Sequence, residues 1–200
     1  MISAIVLAAG ESRRMGQIKQ LLDWGGKPLL GHVLDSLRSS PVGEIILVLG
    51  YEAERILQQV ATPQVQAVLN PDYRSGMLSS LKQGLKAVHP HAEAFLIVLA
   101  DQPEIPPGMI RRLIDEFRRV SPAKSIVIPA YQGRRGHPAL FGAKYGAEIL
   151  QLSGETGARE ILARHPDEVL IVEMDTEDVI IDVDTEEDYL KYRERSRISS

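Results

Sequence analysis

Cysteine is absent from the 200 residues, which excludes disulfides and thiolate metal sites and suits a reducing cytoplasm. An excess of positive charge is missing too. The formal net charge is -4, so no general nucleic-acid or anionic-membrane surface is expected, and an anionic partner must meet a local cluster of cations. No apolar run reaches the length of a membrane span, and the opening run Ile2 to Ala9 lacks the basic leader of a signal peptide. The chain is expected to act in the cytoplasm, with neither nucleic acid nor membrane as a partner. Repeats, low-complexity tracts and dividing linkers are likewise absent, which leaves a single domain over 1–195 and a tail over 196–200 as the expected organisation.

What is present is ordinary for a globular chain, with 44% apolar and 25% charged residues. Short Ile/Val/Leu runs alternate with longer amphipathic stretches, the pattern of parallel strands covered by helices on both faces. Strands are expected at 2–8, 44–50, 65–70, 95–100 and 125–130. Between them, Leu29, Leu30, Val33, Leu34 and Leu37 share a helical face behind Pro28, a residue suited to a first helical position. Met77, Leu78, Leu81, Leu85 and Val88 do the same, as do Met109, Ile110, Leu113, Ile114 and Phe117 behind Pro106 and Pro107. "YQGRRGHPALF" suggests a hairpin or excursion, so the late strands are not expected to be all parallel. Two further apolar runs lie in 168–183, and a charged helix closes the chain.

In an open parallel sheet, ligands bind beyond the carboxyl ends of the strands, and Gly10 stands just after the first one. Its context matches neither G-x-G-x-x-G nor a Walker A loop, because Gly16 is followed by Gln17 instead of lysine. What remains is a small-residue turn, Gly10-Glu11-Ser12, with Arg13, Arg14 and Lys19 close behind. Backbone N–H groups and three cations suit a triphosphate; a tight turn with solvated basic residues is the plainer alternative.

Asp101 ends the run "FLIVLA" at the same sheet edge, where it would serve as a magnesium ligand or as an Asx turn. Asp182 and Asp184 share a strand face as further metal candidates, although Asp184 or Thr185 with Glu187 or Asp188 also reads as a helix cap. Gly76, Ser79 and Ser80 lie near a helix start where a base could dock, and capping by Ser75 is the alternative. His137 and the pair Arg134 and Arg135 could meet an acceptor phosphate, or be structural and solvated. Arg111, Arg112, Arg118 and Arg119 read as a solvated helix face, and His32, His89, His91 and His165 share no metal-ligand spacing.

"LAAGESRRMGQIKQLL" resembles the signature L-A-[AG]-G-x-S-x-R-M-G-x-x-K of the nucleotidyltransferases that activate small phosphorylated compounds with CTP or GTP. The likeness continues in "LADQP", "RGHPALF", "GETGAR" and "DVDTEEDY", with Glu186 standing where the last motif usually has proline. Among the branches it looks most like the molybdenum cofactor cytidylyltransferases, "LAAG" replacing the "LAGG" of guanylyltransferases. The resemblance implies a three-layer α/β/α, Rossmann-like fold of the nucleotide-diphospho-sugar transferase type. It also implies Mg2+ as cofactor, CTP as donor, molybdopterin as acceptor and a molybdoenzyme receiving the product. Arg14, Lys19 and Asp101 would be catalytic. Nucleotide would be bound by Leu7, Ala8, Ala9, Gly10, Glu11, Ser12, Arg13, Arg14, Lys19, Asn70, Gly76, Ser79, Ser80 and Asp101. Gln102, Arg135, Gly136, His137, Pro138 and Gly157 would bind acceptor, and Asp101, Asp182 and Asp184 metal. Rival readings are a GTP-using or sugar- or polyol-phosphate transferase of the same fold, and a non-catalytic cofactor-binding chaperone. A dehydrogenase fits least, given the failed dinucleotide fingerprint.

Overall fold

The computed structural model describes residues 1–60, 62–154 and 157–198, with side chains as far as residue 193. Its strands are β1 (Ile2–Ala8), β2 (Asp23–Trp24), β3 (Lys27–Pro28), β4 (Glu44–Leu49), β5 (Val65–Leu69), β6 (Ala94–Leu99), β7 (Ile126–Tyr131), β8 (Arg134–Arg135), β9 (Ala139–Gly142) and β10 (Val169–Glu173). The helices are α1 (Leu29–Arg38), α2 (Ala53–Gln59), α3 (Met77–Ala87), α4 (Pro107–Val120), α5 (Tyr145–Gln151), α6 (Arg159–Arg164) and α7 (Glu186–Ile198). The main sheet runs β10-β7-β9-β6-β1-β4-β5, with β8 attached to β7. It is parallel except around β9, which lies antiparallel between β6 and β7, and β8, which turns back on β7. The Gly-rich excursion after residue 130 is therefore the antiparallel return expected there.

Period-2 alternation along β1 divides the core in two. Ala4 and Val6 face a layer carrying Leu30, Leu34, Ile110 and Leu113, whereas Ile5 faces Leu81, Leu85, Tyr145 and Ile149. Helices α1 and α4 thus cover one face and α3 and α5 the other, giving three layers. A third, smaller cluster of Trp24, Leu29 and Val183 takes Met15, Tyr189 and Tyr192 against it and docks α7 on the β2–β3 hairpin. Tyr189 Oη donates to the Asp23 carbonyl at 2.7 Å, and the Arg193 guanidinium meets the Asp23 carboxylate at 2.6 Å. Two details depart from expectation. Pro28 ends β3 and caps α1 instead of opening it, and the second late apolar run winds into a 3-10 turn at Glu177–Ile180.

At the amino edge of the sheet, opposite the carboxyl ends of β1 and β6, Glu168 ties three elements together. Its Oε2 accepts from Ser125 Oγ at 2.6 Å, from Tyr145 Oη at 2.8 Å and from the Lys144 ammonium. Lys144 first, then Ser125 and Tyr145, hold this carboxyl down at about 2, against an ordinary 4.5. A depressed folded-state value means stability that is complete above the unfolded value and lost as pH falls through the folded one. Glu168→Gln is therefore expected to lower stability at pH 7 and to flatten the acid-unfolding limb between about pH 4.5 and 2. Thermal melts across that range check it; an unchanged acid limb would refute the assignment.

Candidate active site

The parallel pairing of β1 with β4 and β6 brings the turn after Ala8 and the residue after Ala100 to one edge. Across that edge lies Lys19, carried on a short 3-10 turn (Lys19–Leu21). Its ammonium bonds Asp101 Oδ2 and reaches Asp184 Oδ1 at 3.0 Å, while Arg14 holds Asp184 Oδ2 at 2.8 Å. Ser12, in the left-handed region at φ 52°, accepts the Lys19 N–H on its Oγ at 3.3 Å, so the loop's entrance and exit are pinned together.

The acidic side does not lie on a strand, as its spacing suggested: residues 181–184 run outside every strand, between the 3-10 turn Glu177–Ile180 and α7. Val183 fixes this segment, being fully buried in the Trp24 cluster and donating its N–H to the Asp101 carbonyl at 3.0 Å, while Asp182 and Asp184 on either side of it are not fully buried. The two readings of Asp184 separate here. Thr185 and Asp188 form the reciprocal cap of α7, with Thr185 N donating to Asp188 Oδ2 at 2.9 Å and Asp188 N to Thr185 Oγ1 at 3.1 Å. Apart from a 3.3 Å backbone N–H bond to Asp188, Asp184 is left for Lys19 and Arg14.

The electrostatics follow from this packing. Burial acts to lower the Lys19 pKa, but Asp101 and Asp184 outweigh it and the net shift is upward. For Asp184, burial acts upward and is overcome by Lys19 and Arg14, so its carboxyl is held down. Asp182 is pushed up to about 6 by burial of its carboxyl and the like charge of Asp101. Negative charge thus exceeds what the nearby cations neutralise. Asp101 Oδ1 is in addition buried without a hydrogen-bond partner, as a ligand oxygen awaiting a cation would be. Among the described residues no three His, Cys, Asp or Glu side chains converge to hold an ion unaided. These features fit magnesium, which binds through one or two carboxylates and completes its shell with water and substrate phosphate oxygens.

A cavity of about 280 Å³ opens beside Lys19 and Asp101. Of the expected nucleotide-binding residues it is lined by Leu7, Ala9, Gly10, Lys19, Gly76, Ser80 and Asp101; Ala8, Glu11, Ser12, Arg13, Arg14, Asn70 and Ser79 stand outside the lining. Asn70 is fully buried and donates to Ser79 Oγ at 2.9 Å and Ser80 Oγ at 3.0 Å, shaping the loop that leads into α3. Glu11 lies between Arg13 and Arg74 and links the first turn to that loop. Gly76, at φ 98° and ψ 176°, takes a conformation essentially reserved for glycine and lets α3 start at the cavity wall. Sequence reasoning missed Gln20, Tyr73, Met77, Leu99 and Ala100 in the lining. Tyr73 and Met77 flank Ser75 and Gly76, at the helix start singled out for the base.

On the far side of Asp101, the Val179 carbonyl organises the acceptor candidates. It accepts from His137 N at 2.9 Å and from Gln102 Nε2 at 3.3 Å; the same Nε2 donates to Asp182 Oδ1 at 2.8 Å. Gly136 touches it so closely that a Cβ would sit 2.0 Å from the Val179 oxygen. Gly136→Ala is expected to cost about 1–3 kcal/mol and to displace His137, read as a lowered melting temperature; a variant of unchanged stability would disprove the tight contact. Burial pushes the His137 imidazole below its usual range, Asp101 opposing and Arg159 adding to that, so the neutral form is favoured. Pro138 is buried behind it, Arg135 is exposed on β8, and Gly157 is left-handed at φ 56°. Glu155 and Thr156 of "GETGAR" lie outside the described residues.

Residues 4–169 match the MobA-like NTP transferase domain. The chain belongs to that family. It is 30% identical to the molybdenum cofactor cytidylyltransferase of Escherichia coli strain K12, over 97% of this chain and 96% of that protein. It is also 31% identical to a protein of Paenarthrobacter nicotinovorans named nicotine blue oxidoreductase, over 93% of each. The crystal structure of Rv0371c from Mycobacterium tuberculosis H37Rv superimposes with a TM-score of 0.84 at 35% identity, covering 96% of this chain and 97% of that one. A manganese complex of Rv0371c superimposes at 0.79 and 33%, covering 96% and 98%. Family membership makes the chain a nucleotidyltransferase, on the fold that the resemblance implied.

Proposed function

We propose that the chain transfers CMP from CTP to the phosphate of molybdopterin, with Mg2+ as cofactor, and releases pyrophosphate. The observation that carries this reading is the Lys19 ammonium shared between Asp101 and Asp184 at the mouth of the cavity. An acceptor phosphate oxygen attacks the α-phosphorus, the bond to the β-phosphate oxygen breaks, and its electron pair leaves with pyrophosphate. Chemistry of this kind needs position and charge compensation more than a nucleophile from the protein. Lys19 and Arg14 supply mobile positive charge for the departing group. Asp101 and Asp184 would hold the divalent cation, which would supply positive charge to phosphate oxygens. Gly76 and Ser80 border the base, whereas His137, Gln102 and Arg135 flank the acceptor.

The Escherichia coli relative's name supports CTP and the molybdenum cofactor as substrates, and "LAAG" agrees with it. Among the described residues no helix is long and apolar enough to cross a membrane, in keeping with a cytoplasmic enzyme that passes its product to a molybdoenzyme. The test is purified protein with Mg2+, a molybdopterin-type acceptor and CTP or GTP in turn. Pyrophosphate release is expected with CTP and only with acceptor. Release with GTP alone, or with a sugar or polyol phosphate instead of molybdopterin, would overturn the substrate assignment; tight binding without turnover would make the chain a carrier.

A further inference from the structure

We propose that Gln20 is a positioning residue that makes a phosphate cradle out of the turn after β1, in a sequence lacking the glycine spacing other cradles use. The inference rests on reading the cavity as the nucleotide site. Gln20 is 1% exposed, and its carboxamide Nε2 donates to the carbonyls of Ala8 at 3.0 Å and Gly10 at 3.3 Å. The intervening Ala9 carbonyl accepts from Tyr51 N at 3.1 Å. Three successive carbonyls of the turn are thereby held. In a trans peptide the following N–H points opposite to the carbonyl, so the Gly10 and Glu11 N–H groups are turned away from Tyr51 and Gln20. Among the described residues neither N–H has a partner in the chain.

Gly10 lines the cavity together with Lys19, and its N–H and that of Glu11 next to it are adjacent free donors of the kind that bind polyphosphate oxygens. A second observation points the same way. With Nε2 facing two carbonyls, Gln20 Oε1 is left buried and without a partner, so the carboxamide gives up part of its own hydrogen bonding while it fixes the Ala8 and Gly10 carbonyls. The Glu11 carboxylate does not oppose the anion, because Arg13 and Arg74 already hold it.

Gln20→Met keeps the volume and removes both donors; Gln20→Glu keeps the shape and puts acceptors against the carbonyls. Both are expected to weaken binding of CTP and of inorganic tripolyphosphate by about tenfold or more, to change affinity for CMP less than twofold, and to raise KM for CTP more than they lower kcat. In the wild-type protein, the amide NMR signals of Gly10 and Glu11 are expected to shift when tripolyphosphate is added. Unaltered tripolyphosphate affinity in a folded variant, or wild-type signals that stay in place, would overturn the inference even if one variant fails to fold. A tripolyphosphate response without nucleotide turnover would sink the transferase reading and leave this one standing; turnover without that response would do the reverse.

Discussion

Lys19→Ala is expected to lower kcat/KM by about 10²–10³-fold, the size of effect seen when one preorganised donor to developing charge is removed. Arg14 does not replace it, since its guanidinium is exposed and among the described residues pairs with Asp184 alone, whereas Lys19 contacts both Asp101 and Asp184. Folding stability is expected to fall as well, because Lys19 and Asp101 form a largely buried ion pair and removing one partner leaves a carboxylate uncompensated; a divalent cation bound by the two carboxylates is expected to restore it. A further consequence runs against intuition. With Lys19 gone, Asp101 and Asp184 no longer carry a competing internal cation, so Mn2+ binding in the absence of nucleotide should tighten while CTP binding weakens. Steady-state kinetics, thermal melts with and without Mg2+, and a Mn2+ titration measure the three effects. Wild-type turnover in the variant would remove Lys19 from the mechanism.

Asp101→Asn is expected to cost about 10³-fold in turnover or more, as removal of a charged group essential to charge compensation does. The substitution is nearly isosteric and keeps the backbone bond from Val183 N to the carbonyl of residue 101, so the segment carrying Asp182 and Asp184 should stay in place. What changes is charge: Lys19 loses one of its two carboxylate partners, and the buried Oδ1 position no longer offers a charged ligand oxygen. CTP binding without metal should survive or improve, because one repelling carboxylate is gone. The divalent-cation dependence of that binding should collapse. A folded Asp101→Asn enzyme retaining a tenth of wild-type turnover would contradict the role given to Asp101.

Much of this arrangement is legible in the linear chain because it depends on short-range pattern. The apolar runs of β1, β4 and β6 and the helical spacing of Leu29 to Leu37 mark layers directly, and Asp101 is visible as a charge at the end of an apolar strand. Contacts between distant segments are harder to read. The cap of α7 could belong to Asp184 or Thr185 by spacing alone; the choice is made by Val183, whose burial against Trp24 turns Asp184 toward Lys19. Pro28 looks like a helix opener until the β2–β3 hairpin claims it. Gln20 carries no local signal at all, since its importance comes from carbonyls ten and twelve residues earlier. Arg13 reads in the sequence as equivalent to Arg14 and Lys19, but it folds onto Glu11, whereas Arg14 and Lys19 both reach Asp184.

A crystal grown or soaked with CTP and Mn2+ tests the central claim most directly. Triphosphate density is predicted between the Gly10 turn and the Lys19 ammonium, with an anomalous manganese peak on the Asp101 carboxylate and the base against Gly76 and Ser80. Nucleotide bound elsewhere, or lying in the cavity with Lys19 still closed on Asp101 and no metal beside it, would contradict the account.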